Sequence, residues 1–235
     1  MLSKVDRANS LEEITRLEES GVDLISFDIA FPGSELTIED GRSLDPRRAL
    51  ELRGNVRKAR TVAMLDFVGP EPEWIRSKAE VFSSFDYVQA TSHQLGYEGV
   101  LPAVRGAGRP VICSQIIADY DMDPSWIRGE IEDPSRAGLK YYEIQVVTGV
   151  QNSWRNLKEE SPKHEEELQV SDLRSMTLDF PLFFALDFSL ENVEEILKAF
   201  PRLEGWTITL GGDPESSLRH FHTAERALEV LGREV

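Results

Sequence analysis

The sequence predicts a single (β/α)8 barrel, an α/β fold in one domain with a long loop after the sixth strand. Three observations predict it. Short apolar runs alternate with amphipathic stretches about eight times along the chain, the pattern of parallel strands joined by right-handed helical crossovers. The length of 235 residues suits one such barrel. The G-x-G-x-x-G signature that would favour an open dinucleotide-binding sheet does not follow the first strand.

The elements follow in order. Leu2–Asp6 is the first strand. Asn9 and Ser10 offer an N-cap for a helix over Leu11–Ser20, which Gly21 stops. Val22–Phe31 is the second strand, and Pro46–Leu52 a helix followed by Gly54. Arg60–Phe67 is the third strand, and Pro70–Phe82 a helix opened by proline. Phe85–Ala90 is the fourth strand, Gly99–Gly106 a short helix, and Pro110–Ile117 the fifth strand. A helix near Pro124–Ile131 leads to the sixth strand, Leu139–Val147. Leu182–Asp187 is the seventh strand, and Ser189 caps a helix over Leu190–Phe200. Trp206–Leu210 is the eighth strand, and Pro214–Leu231 the closing helix, stopped by Gly232. The segment Thr148–Thr177 reads as the one long insertion. Its charge runs, Lys158-Glu159-Glu160 and Glu165-Glu166-Glu167, fit a solvated helix face or a lid over the barrel mouth.

Composition narrows the function classes. The net charge of −16 disfavours nucleic acid, whose phosphates call for basic patches. No apolar run reaches the ~20 residues of a membrane span, and the N-terminus lacks the apolar core of a signal peptide. A cytoplasmic protein is expected. Cys113 is the only cysteine, so no intramolecular disulfide forms, and its apolar surroundings suggest a buried thiol. Arginines outnumber lysines 19 to 7, which suits either a salt-adapted proteome or a GC-rich genome.

Three segments together resemble phosphoribosylanthranilate isomerase. Lys4-Val5-Asp6-Arg7 with Leu11-Glu12-Glu13 is similar to that family's opening K-I-C-G and L-E-D helix. Phe85-Asp86-Tyr87-Val88-Gln89 is similar to its D-x-V-Q-L-H-G strand. Phe184-Ala185-Leu186-Asp187-Phe188-Ser189-Leu190-Glu191-Asn192-Val193 resembles L-A-G-G-L-T-P-E-N-V. Gly149–Trp154 and Gly205–Asp213 fall where the family has G-K-T-F-D-W and G-V-D-V-S-S-G-V-E. The resemblance implies an Amadori rearrangement, which needs a general acid and a base on carbon.

The departures from that pattern bear on substrate. Asp6 stands at the family's base position, and a carboxylate can take a proton. Gln145 falls near the acid position, where an amide cannot donate a proton; Glu143 lies two residues earlier on the same strand face. Leu36 falls where the family has an arginine. Leu186 and Asp187 replace phosphate-binding glycines, whereas Gly211 and Gly212 survive. Two unit charges ~4 Å apart interact by about 4 kcal/mol at an effective dielectric of 20, so Asp187 repels a phosphate.

Asp6, Asp28, Asp66, Asp119, Asp187 and Asp213 fall at or near strand C-termini, where barrel active sites lie. They could hold a divalent cation, form an acid–base pair such as Asp6 with Asp187, or serve as caps and solvated loop acids. The expected cofactor is none or unknown, with a divalent cation among the options. His93 follows the fourth strand and could face the mouth. His220 and His222, two apart on the expected last helix, share no face and suit surface or packing roles. The residues expected to carry chemistry are Asp6, Asp187 and Gln145; those expected to bind substrate are Asp28, Asp66, Gln89, His93, Gly211 and Gly212. The expected function is an isomerase- or lyase-type enzyme on a less anionic small molecule, through carboxylates at the C-terminal face. The alternatives are a non-catalytic barrel binding a ligand or protein partner, and a true isomerase with a rearranged site.

Overall fold

Each strand pairs in parallel with the next, and the eighth returns to pair with the first, closing the barrel. The computed structural model describes residues 1–235 except 36–39, 66, 67, 70, 147–151, 212–220 and 233–235, with the backbone alone at Phe221. In chain order the elements begin β1 (Leu2–Asp6), α1 (Leu11–Glu19), β2 (Leu24–Asp28), α2 (Pro46–Arg53), β3 (Arg60–Leu65), α3 (Pro72–Ser77) and α4 (Ala79–Ser83). They continue with β4 (Tyr87–Thr91), α5 (Ser92–Leu95), α6 (Val100–Arg105), β5 (Val111–Ala118), α7 (Pro124–Glu132), β6 (Tyr141–Val146) and α8 (Ser153–Arg155). The chain ends through α9 (Val170–Asp179), β7 (Leu182–Ala185), α10 (Val193–Ala199), β8 (Gly205–Leu210), β9 (Phe221–His222) and α11 (Ala224–Leu231). Among the described residues no helix is long and apolar enough to cross a membrane.

The helices start where local chemistry supplies caps. Ser10 Oγ accepts from the Glu13 amide at 3.1 Å, and Glu13 accepts from the Asn9 amide at 2.9 Å. Asp45 and Asp123 cap helices that begin with Pro46 and Pro124, where proline's missing donor costs nothing. Helix α1 then turns Ile14 and Leu17 onto the sheet, the apolar stripe of an outer helix.

Four expected boundaries are corrected. The helix expected over Pro70–Phe82 is two helices, α3 and α4. The Lys78 amide bonds the Ile75 carbonyl and the Ser77 hydroxyl bonds that of Trp74, tightening the turn before Lys78 leaves helical geometry at φ −105°. Asn192, not Ser189, precedes the helix after β7; its Oδ1 accepts from the Ser189 amide at 2.8 Å. Part of the expected insertion is the barrel's own sixth outer helix: α9 buries Leu173, Met176 and Thr177. Lys158, Glu159 and Glu160 are exposed, as a solvated face should be.

The largest correction concerns the closing helix. It starts at Ala224, capped by Thr223, and the two residues before that cap form β9. Strand β7 ends at Ala185, which pairs with Thr207, so the β7 side of Thr209 and Leu210 would lack a ladder partner. Phe221 and His222 pair there in parallel. Buried backbone groups must be bonded, and that demand overrides local helical periodicity.

Inside the barrel the side chains fall into unlike layers. The N-terminal end is plugged by Leu24, Val62, Tyr87, Ile112, Tyr141 and Phe183. Above the plug the interior is polar: Lys4, Asp6, Gln89, Glu143 and Thr207 are each buried. Strand side chains alternate, so residues two apart share a face. Register sets Lys4 beside Thr207 and Glu143 beside Phe183. A barrel interior is ordinarily packed with branched apolar side chains, so the charged layer needs a reason.

Candidate active site at the barrel mouth

A buried ion triad forms the floor of the mouth. Lys4 Nζ lies 2.6 Å from Glu143 Oε2 and straddles the Asp6 carboxylate, 2.6 Å from Oδ1 and 2.7 Å from Oδ2. Thr207 donates to the same Glu143 oxygen at 2.8 Å. Gln89 Nε2 donates to Asp6 Oδ2 at 3.3 Å. Burial pushes the Glu143 carboxyl up, Asp6 adds to that push, and Lys4 offsets it only in part. Burial favours a neutral Lys4, but the two carboxylates outweigh it and hold the amine above the ordinary value of 10.5. Lys4 is therefore a fixed ammonium and a poor nucleophile. Two buried atoms around this floor, Gln89 Oε1 and Ser26 Oγ, have no hydrogen-bond partner among the described residues. Such atoms cost free energy unless a ligand or water meets them.

Arg7 lies above the floor. It occupies left-handed backbone at φ 70°, where the resembled family has glycine, and its side chain is fully buried. Its Nη1 and Nη2 grip the two Asp40 carboxylate oxygens at 2.7 Å each. Asp28 Oδ2 stands 3.4 Å from Arg7 and accepts the Ser43 hydroxyl at 2.6 Å. Arg42 closes the set, donating to the Arg7 carbonyl at 3.0 Å and to both Glu13 oxygens at 2.7 Å. The loop after β2 is thus strapped to the end of β1. Partial burial opposes ionisation of Asp40, yet the bonds from Arg7 and Arg42 outweigh it and hold its carboxyl below the usual 3.8. A lowered carboxyl stabilises the fold above its unfolded-state value and loses that contribution as pH falls through the folded-state value. Asp40→Asn should therefore cost about 1.5–3 kcal/mol at neutral pH and flatten the acid limb of a urea-midpoint against pH curve. An unchanged acid limb would show that the strap contributes nothing.

Of the two glycines expected to cradle a phosphate, the described one, Gly211, has its amide engaged by protein. The Gly211 amide donates to the His222 carbonyl at 3.2 Å, so β9 occupies the amide that survived in sequence. His222 is buried, with Nε2 2.7 Å from the Phe188 carbonyl. It joins the loop after β7 to β9, a packing role in a strand rather than on the expected helix. Asp187 accepts the Ser153 hydroxyl at 2.7 Å, and its carbonyl accepts Asn192 Nδ2 at 2.9 Å. It ties the loop after β6 to the loop after β7.

Other expected site residues divide. Asp6 and Gln89 meet at the floor. Gln145 is buried on the same strand face as Glu143. The carboxylate brought to Asp6 is Glu143, through Lys4, rather than Asp187, which has different partners. Asp28 serves the Arg7 strap. His93 lies in α5, with Nε2 2.9 Å from the Tyr97 hydroxyl, in a cleft outside the triad. Asp66, Gly212, Asp213 and Leu36 lie outside the described residues. Among the described residues no group of three His, Cys, Asp or Glu side chains could hold a metal ion. Cys113 is buried, which pushes its thiol up to about 12. Sequence reasoning missed Lys4, Arg7, Asp40 and Thr207 as site residues. The signal available was a lysine two residues before Asp6, on the same face of a strand expected to line the barrel.

The fold is a closed (β/α)8 barrel with a charged floor under its mouth. Among solved structures it is similar to the phosphoribosyl anthranilate isomerase of Thermococcus kodakaraensis, at TM-score 0.63 and 12% identity over 99% of each chain. The Thermus thermophilus enzyme superposes at TM-score 0.60 and 16% identity, over 98% of this chain and 96% of the other. A truncated 3-deoxy-D-arabino-heptulosonate 7-phosphate synthase from Thermotoga maritima gives TM-score 0.58 and 13% identity, over 98% and 84%. No protein-family model and no curated protein sequence matches the chain. At these identities the likeness is one of fold.

Proposed function

We propose that this barrel is an acid–base enzyme of isomerase or lyase type, acting on a small molecule less anionic than a sugar phosphate. The Lys4–Asp6–Glu143 triad carries the reading. Charges are expensive to bury, and this set lies on the inner face under the C-terminal mouth, where barrel enzymes do chemistry. Asp6 is the proton acceptor, aimed by Lys4 and Gln89. Glu143 holds the other side of the Lys4 ammonium and so fixes the amine that aims Asp6. The fixed Lys4 ammonium stabilises negative charge developing on a carbonyl oxygen as Asp6 draws a proton from the adjacent carbon. The engaged Gly211 amide and the Asp187 carboxylate support a substrate without a phosphate at that end.

The test is proton exchange at carbon. Neutral, aminated and phosphorylated polyhydroxy carbonyl compounds are incubated with the protein in D2O, and deuterium incorporation is read by NMR. A neutral or aminated compound should exchange, and phosphoribosylanthranilate should not turn over. Asp6→Asn should slow exchange by about a hundred- to ten-thousandfold while the compound still shifts the melting temperature. Binding without exchange would establish a non-catalytic barrel. Exchange confined to sugar phosphates, or undiminished in Asp6→Asn, would also overturn the reading.

A further inference from the structure

A cleft of about 480 Å³ opens beside β4 and β5, and none of Lys4, Asp6 or Glu143 lines it. One wall is α5, with Ser92 and His93, and Tyr97 just after it; the opposite wall is Glu130 of α7 with Arg136 just beyond that helix. Its chemistry is lopsided. Arg136 spends Nη1 on the Glu130 carbonyl and carboxylate, at 3.0 and 3.1 Å, and Nη2 on the Ser92 carbonyl at 3.3 Å. Those bonds sit in the wall, so the guanidinium is poorly placed to take an anion. Glu130 Oε1 receives both Arg136 and the Ser92 hydroxyl, which leaves Oε2 as an acceptor for a ligand.

The remaining lining suits the body of an organic cation. Tyr97 and Ile117 are 46% and 45% exposed, and Met122 completes an apolar edge. The His93 Nε2 contact fixes the Tyr97 ring, with the two rings edge-to-face at 5.1 Å. An aromatic ring held at the cleft wall suits the neighbourhood of a cation. Gln115 also lines the cleft, from a bulge in β5 where its backbone is left-handed at φ 56°. Bulges re-aim side chains, and strain of this kind persists where the surroundings enforce it. The chain's net charge of −16 raises the local concentration of cations.

We infer that this cleft is a binding site for a small organic amine, with the ammonium on Glu130 Oε2 and the hydrocarbon body against Tyr97, Ile117 and Met122. Specificity rests on one carboxylate and one aromatic ring, so the charge of the ligand head should decide binding. Titration calorimetry of the full chain with 2-phenylethylamine tests this, against 2-phenylethanol and 3-phenylpropanoate as neutral and anionic counterparts. The amine should bind at least about tenfold more tightly than either. Ile117→Trp, at an exposed position, fills the cleft and should weaken the amine at least about tenfold with the melting temperature unchanged. Glu130→Gln should erase the preference for amine over alcohol. Equal binding of all three probes, no amine binding up to about 10 mM, or an unchanged affinity in Ile117→Trp would overturn the inference. The acid–base reading survives any of these results, because its own test reads exchange through Asp6.

Discussion

Lys4→Met should destabilise the protein by about 3–5 kcal/mol, the cost of removing one partner from a buried ion pair. The exchange keeps most of the side-chain volume, so little of the loss is cavity. What remains is two carboxylates around one missing ammonium, both almost fully buried. Charge explains the loss only if removing charge restores stability. Lys4→Met with Glu143→Gln should therefore recover more than half of it, since the amide can still accept from Thr207. Acidity should have a related effect. Burial raises the Glu143 carboxyl above its ordinary 4.5. A carboxyl raised by folding contributes stability that is present below its unfolded-state value and is lost as pH rises through its folded-state value. Without Lys4 that rise is larger, so the single variant should be less impaired near pH 5 than near pH 8. Lys4 follows the same sign at the other end: its raised value keeps its contribution intact below 10.5 and removes it only in stronger base. Urea unfolding at both pH values measures these effects. A loss within about 1 kcal/mol and flat with pH would mean that the triad is solvated in solution.

Much of this arrangement was legible in sequence, and the failures have physical causes. Strand periodicity found all eight barrel strands because each buried run is short and apolar. The resemblance placed Asp6 at the mouth, and period-two reasoning placed Glu143 on the same face as Gln145. Lys4 was read only as part of an opening motif, because its second carboxylate lies 139 residues away and nothing local announces it. Strand β9 escaped for a similar reason. Phe221 and His222 have no strand signature of their own, and the edge they cover exists only because β7 stops at Ala185. Arg7 was hidden by its conformation. An arginine at φ 70° is held there by Asp40 and Asp28, partners on the neighbouring strand and its loop.

Gly205→Val should be the most damaging single change at the seam where the barrel closes. Gly205 pairs with Leu2 on one side and Phe183 on the other. A Cβ there would stand 2.3 Å from Phe183 Cε1 and 2.7 Å from the Leu2 carbonyl oxygen. Neither neighbour can yield cheaply. Phe183 is almost fully buried in the plug, its ring 5.0 Å from that of Tyr141. The Leu2 oxygen belongs to the backbone of β1, so moving it drags the strand that carries Lys4 and Asp6. Overpacking of a filled core costs about 1–3 kcal/mol, and a contact with backbone puts this site at or above the upper end. For a chain of this size, 3 kcal/mol corresponds to a melting-temperature drop of about 6–12 °C. Adding Phe183→Leu removes the ring contact but leaves the carbonyl contact, so thermal unfolding of the double variant should show partial recovery. Full recovery would assign the strain to the ring alone, and a single variant that melts like the wild type would show that the β8–β1 seam is looser than its register implies.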